Sequence, residues 1–255
     1  MYGRGFQSGG MGFGPPVTPP VIKQLLIANI AVFFAQAMGA IPVPATDTLL
    51  AASPAGFWEH GYLWQPFTYM WLHGGLGHVA ANMFLLWMFG SPLALAWGSQ
   101  RFLRFYLLCG VGAGLIIVSF PWIPALLGAS SPMSLVMPTL GASGAVMGVL
   151  LGYSLTWPDR TIMLMFPPVA FRAIWLIPIL FFMEISFGPP NISHVGHLGG
   201  VLVGWILLRA RGDAGKLFSI DQIKYRWRRY RLRKRLRAVQ TEDWRDNGRQ
   251  GPWLH

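Results

Sequence analysis

From Phe105 to Pro158 the chain contains no Lys, Arg, Asp or Glu. A helix needs about 20 apolar residues to cross the hydrocarbon core of a bilayer, so a charge-free run of this length holds two spans. Mean hydropathy is +0.45, with 53% hydrophobic and 11% charged residues. That is more apolar surface than one soluble core of this size buries, and a membrane is the natural solvent.

Apolar patterning predicts six helices, about Val21 to Gly39, His78 to Ala96, Phe102 to Phe120, Ala142 to Trp157, Ala170 to Phe187 and Ser193 to Leu208. The fold class is therefore all-α, a polytopic bundle of six transmembrane helices. The fourth and sixth are short and glycine-rich, which suits helices packed inside a bundle where backbones approach closely. Residues 21–208 form this membrane domain. Residues 1–20 are a Gly/Pro-rich arm expected to be disordered, without the Arg/Ser-rich pattern of a transit peptide, and the first apolar run has no convincing small-residue cleavage site, so the first span is expected to stay. Residues 209–255 form a basic tail. The single cysteine, Cys109, lies in an apolar segment and reads as a small buried hydrophobe.

The formal charge of +11 raises nucleic acid as a partner, but 14 of the 20 Lys and Arg residues lie beyond Leu208, outside every apolar run. They read first as a topology signal. No Lys or Arg occurs from Gln24 through Gln100, nor in the connections Pro121 to Leu140 and Gly188 to Ser193. Arg101, Arg104, Arg160 and Arg172 occupy the remaining connections, beside Arg4, Lys23 and the tail. Six spans place all of these on one side, the cytoplasmic one, together with both termini. The tail stretch from Lys224 to Arg237 is a helix-compatible basic segment expected near anionic lipid, and nucleic acid is not expected as its partner.

This topology sends the second, fourth and sixth helices inward from the outer face, so their first turns share a depth. Those turns carry His78 and Asn82, Ser143, and His194 and His197. Polar groups at such a depth are costly, and a convergent set marks a functional site. Gly144, Gly148 and Gly152 make one small-residue stripe and Gly196, Gly200 and Gly204 another, which would bring the neighbouring Ser143 and His197 together. Singly, each residue has a plainer reading: a serine at a helix start is usually a cap. Together they divide the labour of acyl transfer. His197 would take the Ser143 proton, while His78, the Asn82 amide and the Ser143 backbone N–H face an oxyanion. No carboxylate is expected at that depth, which makes a Ser–His dyad. Glu184, the only acidic residue in a predicted span, is expected to reach interfacial water. A metal or transport site built from His73, His78, His194 and His197 lacks a carboxylate or thiolate, and neither metal nor other cofactor is called for.

Three stretches, Trp71 to Gly90 (WLHGGLGHVAANMFLLWMFG), Gly141 to Gly148 (GASGAVMG) and Ser193 to Gly204 (SHVGHLGGVLVG), resemble the rhomboid family of intramembrane serine proteases in order and spacing. The resemblance implies Ser143 as nucleophile, His197 as base, and His78, Asn82 and the Gly141 amide at the oxyanion. It assigns His73 a structural place, while His194 has no catalytic counterpart in the motif and is expected to have a structural or rim role. Transmembrane proteins are the implied substrates, cut where a helix unwinds, with the fifth helix and the loop before it as the gate. The implied location is a bacterial inner membrane, with the site opening to the outer face. A catalytically weak relative that binds membrane proteins for quality control is the alternative. Three positions depart from the family pattern: Met147 replaces an aromatic near the imidazole, Gln65 follows Trp64 where arginine is usual, and Ala94 replaces a glutamate. The last two are expected to weaken structural pinning.

Overall fold

Hydropathy alone places most of the architecture, and the connections supply the surprises. The computed structural model describes residues 14–43, 45–128, 133–163, 169–187 and 193–210. The chain separates into two units, Met1–Leu208 and Arg209–His255, and the fold below is that of the first. The basic tail beyond Ala210, and most of the N-terminal arm, lie outside the described residues.

Three helices are long and apolar enough to cross a membrane: α1 (Pro20–Ala37), α2 (Leu76–Trp97) and α3 (Ser99–Leu126). Three shorter apolar helices follow, α4 (Ser143–Thr156), α5 (Ala173–Phe187) and α6 (His194–Ala210). Pro20 opens α1, where the missing N–H costs nothing. In α2 a widened turn at Leu86–Gly90 precedes Pro92, which lacks an N–H donor and would crowd the carbonyl four residues back. Gly98 alone, at φ 85°, turns the chain from α2 into α3.

The core centres on α4, whose residues from Gly144 to Leu155 are all buried. Around it, α3 presents Cys109 and Ala113 to Gly148 and Gly144, α2 brings Leu93 and Trp97 to Gly152, and α6 approaches on a further side. Phe182, Ile185 and Phe187 of α5, and Ile27 and Phe34 of α1, are exposed large apolar side chains, as lipid-facing surfaces require.

Two expectations need correction. The fifth helix does not begin at Ala170. Residues Ala170–Arg172 instead pair antiparallel with Thr161–Met163, Thr161 opposite Arg172, and α5 opens with a 3-10 turn at Ala173–Trp175. The Ala173 N–H donates to the Arg160 carbonyl and Ile174 to that of Pro158, which anchors the helix start three residues late. Thr161 and Ile162 are β-branched and suit a strand, so a small ladder interrupts the all-helical plan.

Nor is the connection between α1 and α2 weakly pinned at Gln65. That side chain is fully buried; its Oε1 accepts from the Ser53 N–H at 3.1 Å and its Nε2 donates to the Thr48 carbonyl at 3.1 Å. Trp64 Nε1 donates to Leu49 O at 2.7 Å, and Thr68 Oγ1 to Leu50 O at 2.6 Å. An amide carries both a donor and an acceptor, and here both are spent holding the connection. Ala94 is buried in the core without a polar partner to require.

Candidate active site

Ser143 is the first residue of α4, where backbone N–H groups have no intrahelical partner. The chain reaches it by a braced route. Ala52 and Thr139 exchange both backbone hydrogen bonds at 2.8 Å, and the Gly141 N–H donates to the Tyr69 carbonyl at 2.9 Å. Gly141 sits at φ 127°, a conformation side chains strain against, and a Cβ there would lie 2.7 Å from His78 Cε1 and Nε2 and 3.8 Å from Ser143 Oγ. The bare glycine thus lets an imidazole and a hydroxyl flank the same point.

His78 lies in the first turn of α2. Its Nδ1 accepts from the Gly74 N–H at 3.4 Å, so a neutral ring carries its proton on Nε2, the atom turned toward Gly141. Asn82, one turn further and buried, donates one amide hydrogen to the His78 carbonyl at 3.1 Å and keeps a second. His73 packs edge-on against His78, ring centroids 5.2 Å apart. Burial, and then the neighbouring His78, push the His73 imidazole down to about 4, which keeps it neutral. Its backbone N–H is held by Gln36 Oε1 at 3.1 Å, the structural place expected of it.

The glycine stripes meet as backbone. A Cβ on Gly144 would lie 3.4 Å from the Gly196 carbonyl, one on Gly148 3.3 Å from that of Gly200, and one on Gly204 3.2 Å from Gly148 Cα. Gly152 leaves this seam and faces Trp97 and Leu93 instead. Ser143 and His197 each adjoin the seam, and His197 lies within electrostatic reach of His78. The Ser143 hydroxyl and His197 make no hydrogen bond with each other among the described residues. Such bonds are commonly open in unliganded sites. Met147 is buried on α4 below them.

The expectation that no carboxylate reaches this depth is overturned. Glu184, near the end of α5, places Oε2 2.7 Å from His197 Nδ1 and Oε1 2.5 Å from His194 Nδ1. Its side chain is only 7% exposed, so it faces protein and not interfacial water. Helix α5 ends beside the start of α6 and delivers Glu184 in its last turns, a route outside the set of helices that enter from one face. Among the described residues no group of three or more His, Cys, Asp or Glu side chains is arranged to hold a metal ion.

Residues 60–212 match the family model for the rhomboid domain. The chain is 31% identical over 169 residues to the rhomboid protease GluP of Bacillus subtilis, covering 66% of this chain and 30% of that one. It is 31% identical over 149 residues to the mitochondrial rhomboid protein 1 of Saccharomyces cerevisiae, covering 54% and 40%. With the human mitochondrial presenilin-associated rhomboid-like protein it shares 31% over 136 residues, covering 52% and 34%. The chain spans about a third of the length of these relatives.

Proposed function

Because this chain belongs to the rhomboid family, we propose that it is an intramembrane serine endopeptidase that cuts transmembrane segments through Ser143 and His197. The observation that carries the reading is that His78 Nε2 and Ser143 Oγ both lie within 3.8 Å of the point a Cβ on Gly141 would occupy. In this mechanism Ser143 Oγ attacks the scissile carbonyl carbon and its proton passes to His197 Nε2. The carbonyl oxygen becomes an oxyanion facing the His78 Nε2–H, the free Asn82 amide hydrogen and the backbone N–H groups of Gly141 and Ser143. The N–H of Gly141 is engaged by Tyr69 O in the free protein, so it joins only if that bond opens. As the C–N bond breaks, His197 returns the proton to the leaving amine. Water then attacks the acyl-enzyme with His197 again as base.

An intact helix hides its carbonyls in its own hydrogen bonds, so the substrate is a membrane protein whose span unwinds locally near Gly or Pro. The positive-inside distribution supports a multi-pass inner-membrane protein with cytoplasmic termini and a site opening to the outer face. The basic tail, on this reading, lies on anionic lipid.

The open Ser143–His197 pair favours a second reading, a catalytically weak relative that binds membrane proteins. One comparison separates them: cleavage of a single-span substrate in detergent by the parent, Ser143→Ala and His197→Ala. Parental cleavage lost in both folded variants is expected; cleavage surviving in Ser143→Ala would refute the nucleophile, and no parental cleavage of any of several substrates would favour the binder.

A further inference from the structure

Glu184 is the only acidic side chain on α1 to α6 among the described residues, and it is spent entirely on two histidines. An ionised carboxylate only accepts, so both bonded nitrogens, Nδ1 of His194 and Nδ1 of His197, must donate. That fixes the neutral His197 tautomer: the proton is on Nδ1 and the lone pair on Nε2. Nε2 is the atom a general base needs free. With its side chain 13% exposed, His197 has little water to compete for Nδ1, whereas His194, half exposed, holds the other carboxylate oxygen from the rim.

We propose that Glu184 is a positioning residue for His197, making the site a relay of Ser143, His197 and Glu184 rather than a pair. The proposal rests on the protease reading above. When Ser143 attacks, its proton moves to His197 Nε2 while the Nδ1 proton stays where it is. The carboxylate remains ionised throughout and balances the positive charge on the ring; on collapse the Nε2 proton leaves with the amine. His194 keeps the carboxylate aimed by satisfying its second oxygen. The same contacts would also serve as a plain clamp between the ends of α5 and α6, and the test must tell the two apart.

Glu184→Gln keeps shape and one acceptor oxygen but removes the charge. The loss of a charge-assisted hydrogen bond at the transition state should lower kcat by about 10- to 100-fold. KM and Tm should stay at parental values, Glu184→Asp should recover part of the lost kcat, and His194→Gln should lower kcat less than Glu184→Gln. A clamp would instead lower Tm and raise KM together with no advantage for Asp, and that pattern would overturn the proposal. Parental kcat in Glu184→Gln, in an enzyme that Ser143→Ala inactivates, would also overturn it while leaving the Ser143–His197 reading standing. Persisting cleavage in Ser143→Ala would remove both.

Discussion

A methyl group added at Gly200 would sit 1.9 Å from the Gly144 carbonyl oxygen and 2.7 Å from its carbon. Even the shortest C–H···O contacts keep carbon and oxygen about 3.3 Å apart, so α4 and α6 must part locally by about 1.4 Å. Neither atom belongs to a side chain that can rotate away. Overpacking of this kind costs about 1 to 3 kcal/mol, and contact with backbone puts the case at the upper end. Alanine returns about 1 kcal/mol through helix propensity, which leaves a net loss of about 2 kcal/mol. For a domain of this size that lowers Tm by about 4 to 8 °C. The effect on chemistry should be larger. His197 lies one turn before Gly200 and Ser143 adjoins Gly144, and a misplacement of about 1 Å between reacting groups costs on the order of 100-fold in rate. Thermal unfolding in detergent and kcat/KM on a single-span substrate measure the two effects. Gly152→Ala is the control, because the nearest neighbours of its methyl would be side-chain atoms of Trp97, Leu93 and Phe105 at 3.0 to 3.3 Å, and these can give way. If Gly200→Ala matched Gly152→Ala in both measurements, the close approach of α4 and α6 would not be what aligns the site.

Gly141→Ala imposes a positive φ on a side-chain-bearing residue and drives its methyl into His78; cleavage should fall by about 100-fold or more while Tm drops by only a few degrees, since the clash is confined to the site. Gln65→Leu strands the buried Ser53 N–H, and urea or thermal unfolding should register a loss of about 1 to 3 kcal/mol. His73 binds its proton at about 4 when folded, against 6.5 when unfolded, so the unfolded state takes up a proton first. Stability is then full above pH 6.5, declines as pH falls toward 4 by about 3 kcal/mol in all, and levels off below. A His73→Leu variant should flatten that limb of the Tm profile; an unchanged slope would place the dependence elsewhere.

The helices, and the approach of His78 and Ser143 to one point beside Gly141, were legible because they rest on periodic signals and local motifs. Charge-free runs locate spans, and His78 and Asn82 stand four apart on one helix face beside a glycine-flanked serine. Glu184 was visible but its direction was not. Helix α5 is apolar on every side, so periodicity offers no inward face, and its partners lie on α6, across a connection whose geometry no local pattern encodes. Gln65 misled for a different reason. Judged by the charge it lacks it promises less than arginine, whereas two neutral hydrogen bonds to backbone, made from a buried side chain, hold the connection. Likewise, the apolar content of Ala170 to Arg172 looked like helix, and only the pairing with Thr161–Met163 decides otherwise.

The bonds joining Ala52 to Thr139 and Tyr69 to Gly141 have a mechanical consequence. They suspend the start of α4 from the connection between α1 and α2, so the nucleophile hangs from two cross-ties rather than standing on its own helix alone. A force on that connection, such as a docking helix leaning against it, is delivered to the residues that lead into Ser143. The amide hydrogens of Ala52, Thr139 and Gly141 would serve as strain gauges for that load, exchanging with solvent faster as the suspension slackens.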